Sequence, residues 1–283
     1  MSEILRVLTY PRPLRATLVR KIVRRFSLFS YRDRLLANAV DRPHYGHCIY
    51  EAAQLATRLG HPKMSVVEFG CGGGNGLLNA EMHIREISKI FPVKIELYGF
   101  DTGEGLPEAE DYRDLMHYFR PGQFQMQANV LRDRLSLAKL VLGNVKDTCK
   151  TFFSEYNPAP IGAIFHDLDF YSSTRDALTL FDGPARYFLP RVFMYFDDVI
   201  GNNTWLANEY VGEQLAISEF SQSHPTKKIV ANRYLPVAYY DAGWVHQIYN
   251  YHDFEHPDYT SFVGAPEQVM HEADIRLREF ATP

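Results

Sequence analysis

Residues 64–76 read MSVVEFGCGGGNG. The run from Met64 to Phe69 lies between Pro62 and Gly70, which predicts a short buried strand. Glycines follow at Gly70, Gly72, Gly73 and Gly74, and a helical pattern runs over 76–90. A glycine turn between a strand and a helix lets a ligand approach the backbone and meet the free N–H groups of the helix start. The dinucleotide spacing G-x-G-x-x-G fails here in both frames. Counted from Gly70 and Gly72, the third glycine falls on Asn75; counted from Gly72 and Gly74, it falls on Leu77.

The same alternation continues outward from this stretch. Strands are predicted over 94–100, 139–143, 161–166 and 191–196, and helices over 45–59, 123–137, 146–155 and 173–188. Strands alternating with helices make βαβ units, so the fold class is α/β, a Rossmann-like and mostly parallel sheet with helices on both faces. A helix over 207–221, closing strands over 227–232 and 245–250, and a helix near 266–280 complete the chain. With no linker in view, 61–283 reads as one domain with an aromatic-rich C-terminal extension, preceded by a basic helical arm over 1–60.

With 283 residues, 46% of them hydrophobic, the chain can bury a full core. A net charge of −4 argues against a nucleic-acid partner. Residues 1–34 nevertheless hold nine Lys and Arg against Glu3 and Asp33. Within LRATLVRKIVRRF (14–26), Leu14, Leu18, Ile22 and Val23 share a helical face, which would pack on the domain itself, across a homodimer, or on an anionic membrane. Cys48, Cys71 and Cys149 have no zinc spacing and read as reduced thiols. Neither a signal-peptide core nor a transmembrane run of about 18 apolar residues is present, so a cytoplasmic protein is expected.

Two strand-like runs end in acids, in FHDLDFYSST (165–174) and YFDD (195–198). In an open α/β sheet the carboxyl ends of adjacent strands form the ligand crevice. Asp169, Asp197 and Asp198 are therefore expected to converge there. Clustered carboxylates repel one another and need a cation, a shared proton or salt bridges. An all-oxygen set suits Mg²⁺. His166 is a second candidate base, and Ser173 or Thr174 is expected to cap the next helix.

The pattern Glu68-x-Gly70-x-Gly72-x-Gly74 is similar to the first motif of class I S-adenosylmethionine (SAM) methyltransferases. The run DLDFYSSTRDAL with the later FDD resembles the signature of the macrocin O-methyltransferase-like group, which modifies sugar hydroxyls in natural products. FDTGEGLP (100–107) and GNVKDT (143–148) resemble that group's loops, although Thr102 and Gly103 stand where it has Ser-Phe. The resemblance implies that Glu68, Gly70, Gly72 and Gly74 line SAM and Asp101 takes the ribose hydroxyls. Asn144 or Val145, by position alone, would edge the adenine. It also implies that Asp169, Asp197 and Asp198 bind Mg²⁺, with Asp169 doubling as base. The expected function is SAM- and Mg²⁺-dependent O-methylation of a small hydroxylated acceptor, a sugar or natural product. A catechol-like diol as acceptor, and a non-catalytic SAM-binding subunit docked through its basic arm, are the alternatives. Trp205, Tyr210, Tyr239, Tyr240, Trp244 and Tyr249 are candidates for the acceptor wall.

Overall fold

The computed structural model describes residues 14–25, 29–238 and 242–264. The helix expected near 266–280, and Tyr239 and Tyr240, lie outside these residues. Helices α1 (Leu14–Arg25), α2 (Tyr31–Leu36) and α3 (Pro43–Arg58) come first. Then β1 (Lys63–Phe69), α4 (Asn75–Ile87), β2 (Lys94–Asp101), α5 (Ala128–Arg134) and β3 (Ala138–Leu142) alternate. They are followed by α6 (Val145–Tyr156), β4 (Ile161–His166), α7 (Tyr171–Leu178) and β5 (Phe188–Phe196). The last described elements are α8 (Gly212–Ser223), β6 (Lys227–Ala231), the short α9 (Leu235–Ala238) and β7 (Ile248–Asp253).

The strands form one sheet in the order β3-β2-β1-β4-β5-β7-β6. Neighbours from β3 to β5 are parallel, and β7 runs antiparallel to β5 and β6. Side chains alternate across the sheet. Val66, Leu97, Ala163 and Tyr195 enter one apolar core, whereas Val67, Tyr98, Ile164 and Phe196 enter the other. Both faces are covered, so the central strands read as continuous apolar runs.

Several expectations change. Helix α3, grouped by sequence with the N-terminal arm, buries Tyr45, Ile49, Ala52, Ala53 and Ala56 in the first core. The helix expected over 173–188 is α7 alone, continued by 3₁₀ turns at Thr179–Asp182 and Ala185–Tyr187. Pro184 disfavours helical backbone in the preceding Gly183, which is extended at φ −66° and ψ 168°. The start of α7 is served by a remote residue: Asp114 accepts from the Ser172 N–H at 2.8 Å and from the Ser172 hydroxyl at 2.9 Å. The Thr174 hydroxyl instead donates back to the Phe170 carbonyl at 2.8 Å. In α1, Val23 is buried, but Leu18 and Ile22 remain exposed.

Candidate active site

Strand register builds the site. Phe69 of β1 pairs with Phe100 and with His166, and His166 pairs with Phe196. The chain therefore leaves β1, β4 and β5 in a row, and the next residues are Gly70, Asp167 and Asp197. Asp101, at the end of β2, extends that row. A cavity of about 440 Å³ lies over this edge, lined by the glycine turn, the acids and parts of the segments 102–124 and 197–205.

Carboxylate oxygens of Asp167, Asp197 and Asp198 lie within 4.8 Å of one another. The cluster thus contains Asp167 where the sequence pointed to Asp169. The reason is positional: Asp167 is the first residue past β4, as Asp197 is the first past β5. Asp169 sits further along a tight turn, in the left-handed region at φ 60°, and its N–H donates to Asp198 Oδ2 at 2.8 Å. Asp169 itself lines the cavity but is not among the three clustered acids. The Tyr195 phenol donates to Asp197 Oδ1, and Gln247 Nε2 donates to the Asp197 carbonyl at 2.7 Å. Beneath them, the fully buried Glu213 accepts the Asp198 N–H at 2.8 Å.

Burial, and then the neighbouring acids, raise Asp167 to about 7 and Asp169 to about 8. Burial and the same crowding push Asp198 and Glu213 well above the ordinary carboxylate range. So many acids in a poorly solvated space call for protons or a cation. Asp167, Asp197 and Asp198 offer only hard oxygen donors with an open cavity before them, a set that fits Mg²⁺ and leaves room for water or substrate oxygens.

The other side of the cavity fits a nucleoside-bearing ligand. Gly70 has φ 80°, and a Cβ there would fall 1.8 Å from the Asp167 carbonyl oxygen, so no other residue fits this turn. Asp101 lines the cavity and also ties down the turn: Oδ2 accepts from the N–H of Cys71 and of Gly72, each at 2.9 Å, and Oδ1 from Gly103 at 2.7 Å. Gly72, Asn144 and Val145 are on the lining as expected, with Asn144 also capping α6 through the Lys146 N–H at 2.9 Å. Glu68 is buried at the cavity floor, where Oε1 accepts from the Tyr45 hydroxyl at 2.9 Å and Oε2 has no partner among the described residues.

Two expected site residues lie elsewhere. Gly74 is off the cavity; with φ 80° it starts α4 and admits Leu131, whose Cδ1 would meet a Cβ at 2.1 Å. His166 is fully buried and turned into the sheet's second core. It stacks between Phe69, at 5.2 Å, and Phe196, at 4.4 Å between ring centroids. Register forces this, because paired residues of parallel strands share a face. Burial lowers the imidazole to about 3, and neither ring nitrogen has a partner among the described residues.

Of the aromatic candidates, Trp205 lines the cavity, joined by Tyr118, Phe119 and Phe124 from the loop after β2. Tyr118 and Trp205 are parallel, with centroids 5.7 Å apart. Tyr210 is exposed, Trp244 donates to Asn38 Oδ1 at 3.1 Å, and Tyr249 packs edge-on against Phe196. Sequence reasoning missed Arg42, Tyr195 and Glu213. Only Tyr195 carries a local signal, two residues before Asp197 on an alternating strand.

No family model and no curated protein matches the chain. Among solved structures, the O-methyltransferase NovP is similar over 74% of this chain and 79% of its own, with a TM-score of 0.50 and 13% identity. CalS11, a calicheamicin methyltransferase, is matched over 87% of this chain and 94% of its own, with a TM-score of 0.47 and 18% identity. The likeness to NovP shows the fold: this chain has the Rossmann-like, mostly parallel α/β architecture that its alternating strands and helices implied.

Proposed function

We propose that the protein is a SAM-dependent O-methyltransferase that uses a divalent cation to methylate a hydroxyl of a small molecule, a sugar or other natural product. The observation that carries this reading is the meeting of two half-sites in one cavity, the Gly70–Gly72 turn with Asp101 and the carboxylates of Asp167, Asp197 and Asp198. NovP, whose fold this chain shares, is itself an O-methyltransferase.

Bound SAM would supply the methyl group on a sulfonium, and bound Mg²⁺ would acidify and orient a hydroxyl. The residues have separate tasks. Asp101 and the glycine turn hold the nucleoside end. Asp167, Asp197 and Asp198 hold the cation, with Tyr195 and Glu213 fixing Asp197 and Asp198. Asp169 accepts the acceptor's proton at its carboxylate; its raised pKa makes it a stronger base than an exposed aspartate. Trp205 and Tyr118 present ring faces that suit a sugar or a flat ring, and in-line transfer then depends on alignment.

The test is calorimetry followed by turnover. SAM binding with Mg²⁺-stimulated methylation of a hydroxylated acceptor is expected. SAM binding with transfer that neither EDTA nor Asp197→Ala affects would remove the metal from the account.

A further inference from the structure

A second cavity, of about 730 Å³, lies between α6 and the 3₁₀ turns that follow α7, and it shares no lining residue with the active cavity. It opens where α7 stops short of the Gly183–Pro184 break. Gly183 also lets the Phe153 ring close in: a Cβ there would fall 2.2 Å from Phe153 Cε2.

The floor of this groove is apolar. Cys149, Leu180 and Tyr187 are buried in the second core, and Phe153 packs against that core. Phe153 and Tyr187 are stacked, with centroids 4.5 Å apart and planes 10° from parallel. The Arg186 guanidinium carbon lies 4.6 Å from the centroid of the same Tyr187 ring.

The charge on the lining is one-sided once its pairs are taken out. Both lining acids are engaged, Asp176 with Arg175 at 2.9 Å and Asp182 Oδ1 with His224 Nε2 at 3.2 Å. Of the three lining cations, Lys150 stands 3.5 Å from Asp147. Lys146 and Arg186 have no carboxylate partner among the described residues, and Arg186 donates to the Tyr187 hydroxyl at 3.3 Å.

We infer that this groove is a second ligand site, for a small aromatic molecule that carries an anionic group. A flat ring extends a wall already built from aromatic and guanidinium planes, and it gains by leaving water there. Its anionic group answers the cations that lack a carboxylate. The volume suits a small organic ligand and is far larger than an inorganic ion needs. A neutral ring would leave Lys146 and Arg186 unmatched, and a bare anion would leave the apolar floor wet.

The experiment is calorimetric titration of the full chain with naphthalene-2-sulfonate, with uncharged 2-naphthol and with sodium sulfate. Wild type should bind naphthalene-2-sulfonate at least about ten-fold more tightly than either of the others. The double variant Lys146→Gln with Arg186→Gln should weaken naphthalene-2-sulfonate by about five- to thirty-fold and leave 2-naphthol within about two-fold. Ser154→Trp, an exposed position on the lining, should weaken both aromatic probes together by filling the groove. Trp205→Ala, in the active cavity, should weaken neither. All these substitutions lie outside the apolar core, so melting temperatures near that of wild type identify folded variants. Undiminished naphthalene-2-sulfonate affinity in the double variant would overturn the inference. So would loss in Trp205→Ala, which would put the probe in the active cavity, or sulfate binding as tightly as the sulfonate. A dimer in sedimentation that binds no probe would overturn it too, with a second copy of the chain covering the groove.

Discussion

The Asp169 N–H lies 2.8 Å from Asp198 Oδ2, so the turn after β4 is fastened to the acid pair after β5. That bond separates two aspartates that look equivalent in the run DLD. Asp167 points into the carboxylate cluster, and Asp169, folded back by its left-handed turn, stands beside it. In the proposed function, cation binding falls to Asp167 and proton acceptance to Asp169.

Asp169→Asn should keep cation affinity within a few-fold and lower kcat by about 10²–10⁴, the usual contribution of a general base. Asp167→Asn should do the reverse in a Mn²⁺ titration, weakening the cation before any acceptor is added. Matching losses of cation affinity in the two variants would return Asp169 to the ligand set.

His166→Phe tests the reassignment of the histidine. The ring lies in an aromatic row with Phe69 and Phe196 and leaves two buried nitrogens without protein partners. Removing such groups should leave stability unchanged or raise it by about 1 kcal/mol. Turnover should stay within about three-fold, since a base contributes far more than that. A hundred-fold loss in a variant that melts normally would mean the imidazole reaches the substrate.

Gly74→Ala separates helix packing from cofactor contact. The left-handed backbone at φ 80° and the approach of Leu131 should cost about 1–3 kcal/mol in urea unfolding. Gly70→Ala should be worse, because the Asp167 carbonyl lies where the methyl would go. It should weaken S-adenosylhomocysteine and Mn²⁺ together, since Gly70 and Asp167 meet at the seam of the two half-sites.

The acids also set a pH dependence. Burial above all holds Glu68 at about 8, Asp167 at about 7 and Asp169 at about 8. Unfolded, these groups titrate near about 4, so between that pH and the folded values the native state carries the extra protons. Their contribution to stability is complete below about pH 4 and is lost as pH rises through about 7 to 8. The metal-free melting temperature should therefore fall from about pH 5 to about pH 8, and Mg²⁺ should restore it at the upper end and do little at the lower. In Asp167→Asn the Mg²⁺ effect should vanish. A Mg²⁺ effect of the same size at both ends would show that the cation does not compete with these protons.

Much of the sheet was legible because its strands are short apolar runs closed by glycine, proline or acid. Strand β4 occupies 161–166 as read, and β1 is flanked by Pro62 and Gly70. The helix after β4 overran because its apolar residues continue through Phe181 to Tyr187, past a Gly183–Pro184 break that only 3₁₀ turns bridge. The site was legible as acids at strand ends. The choice between Asp167 and Asp169 depends on the left-handed turn at Asp169, which spacing does not encode. Arg42 and Glu213 arrive from α3 and α8, distant in sequence, and reach the site only through tertiary packing.

The most direct measurement is the anomalous scattering of a crystal grown with Mn²⁺ and S-adenosylhomocysteine. The account predicts one strong peak bonded to oxygens of Asp167, Asp197 and Asp198, with the nucleoside against Asp101 and the glycine turn. An ordered nucleoside in that place with no peak at the three aspartates, or a peak held by Asp169 in place of Asp167, would contradict it.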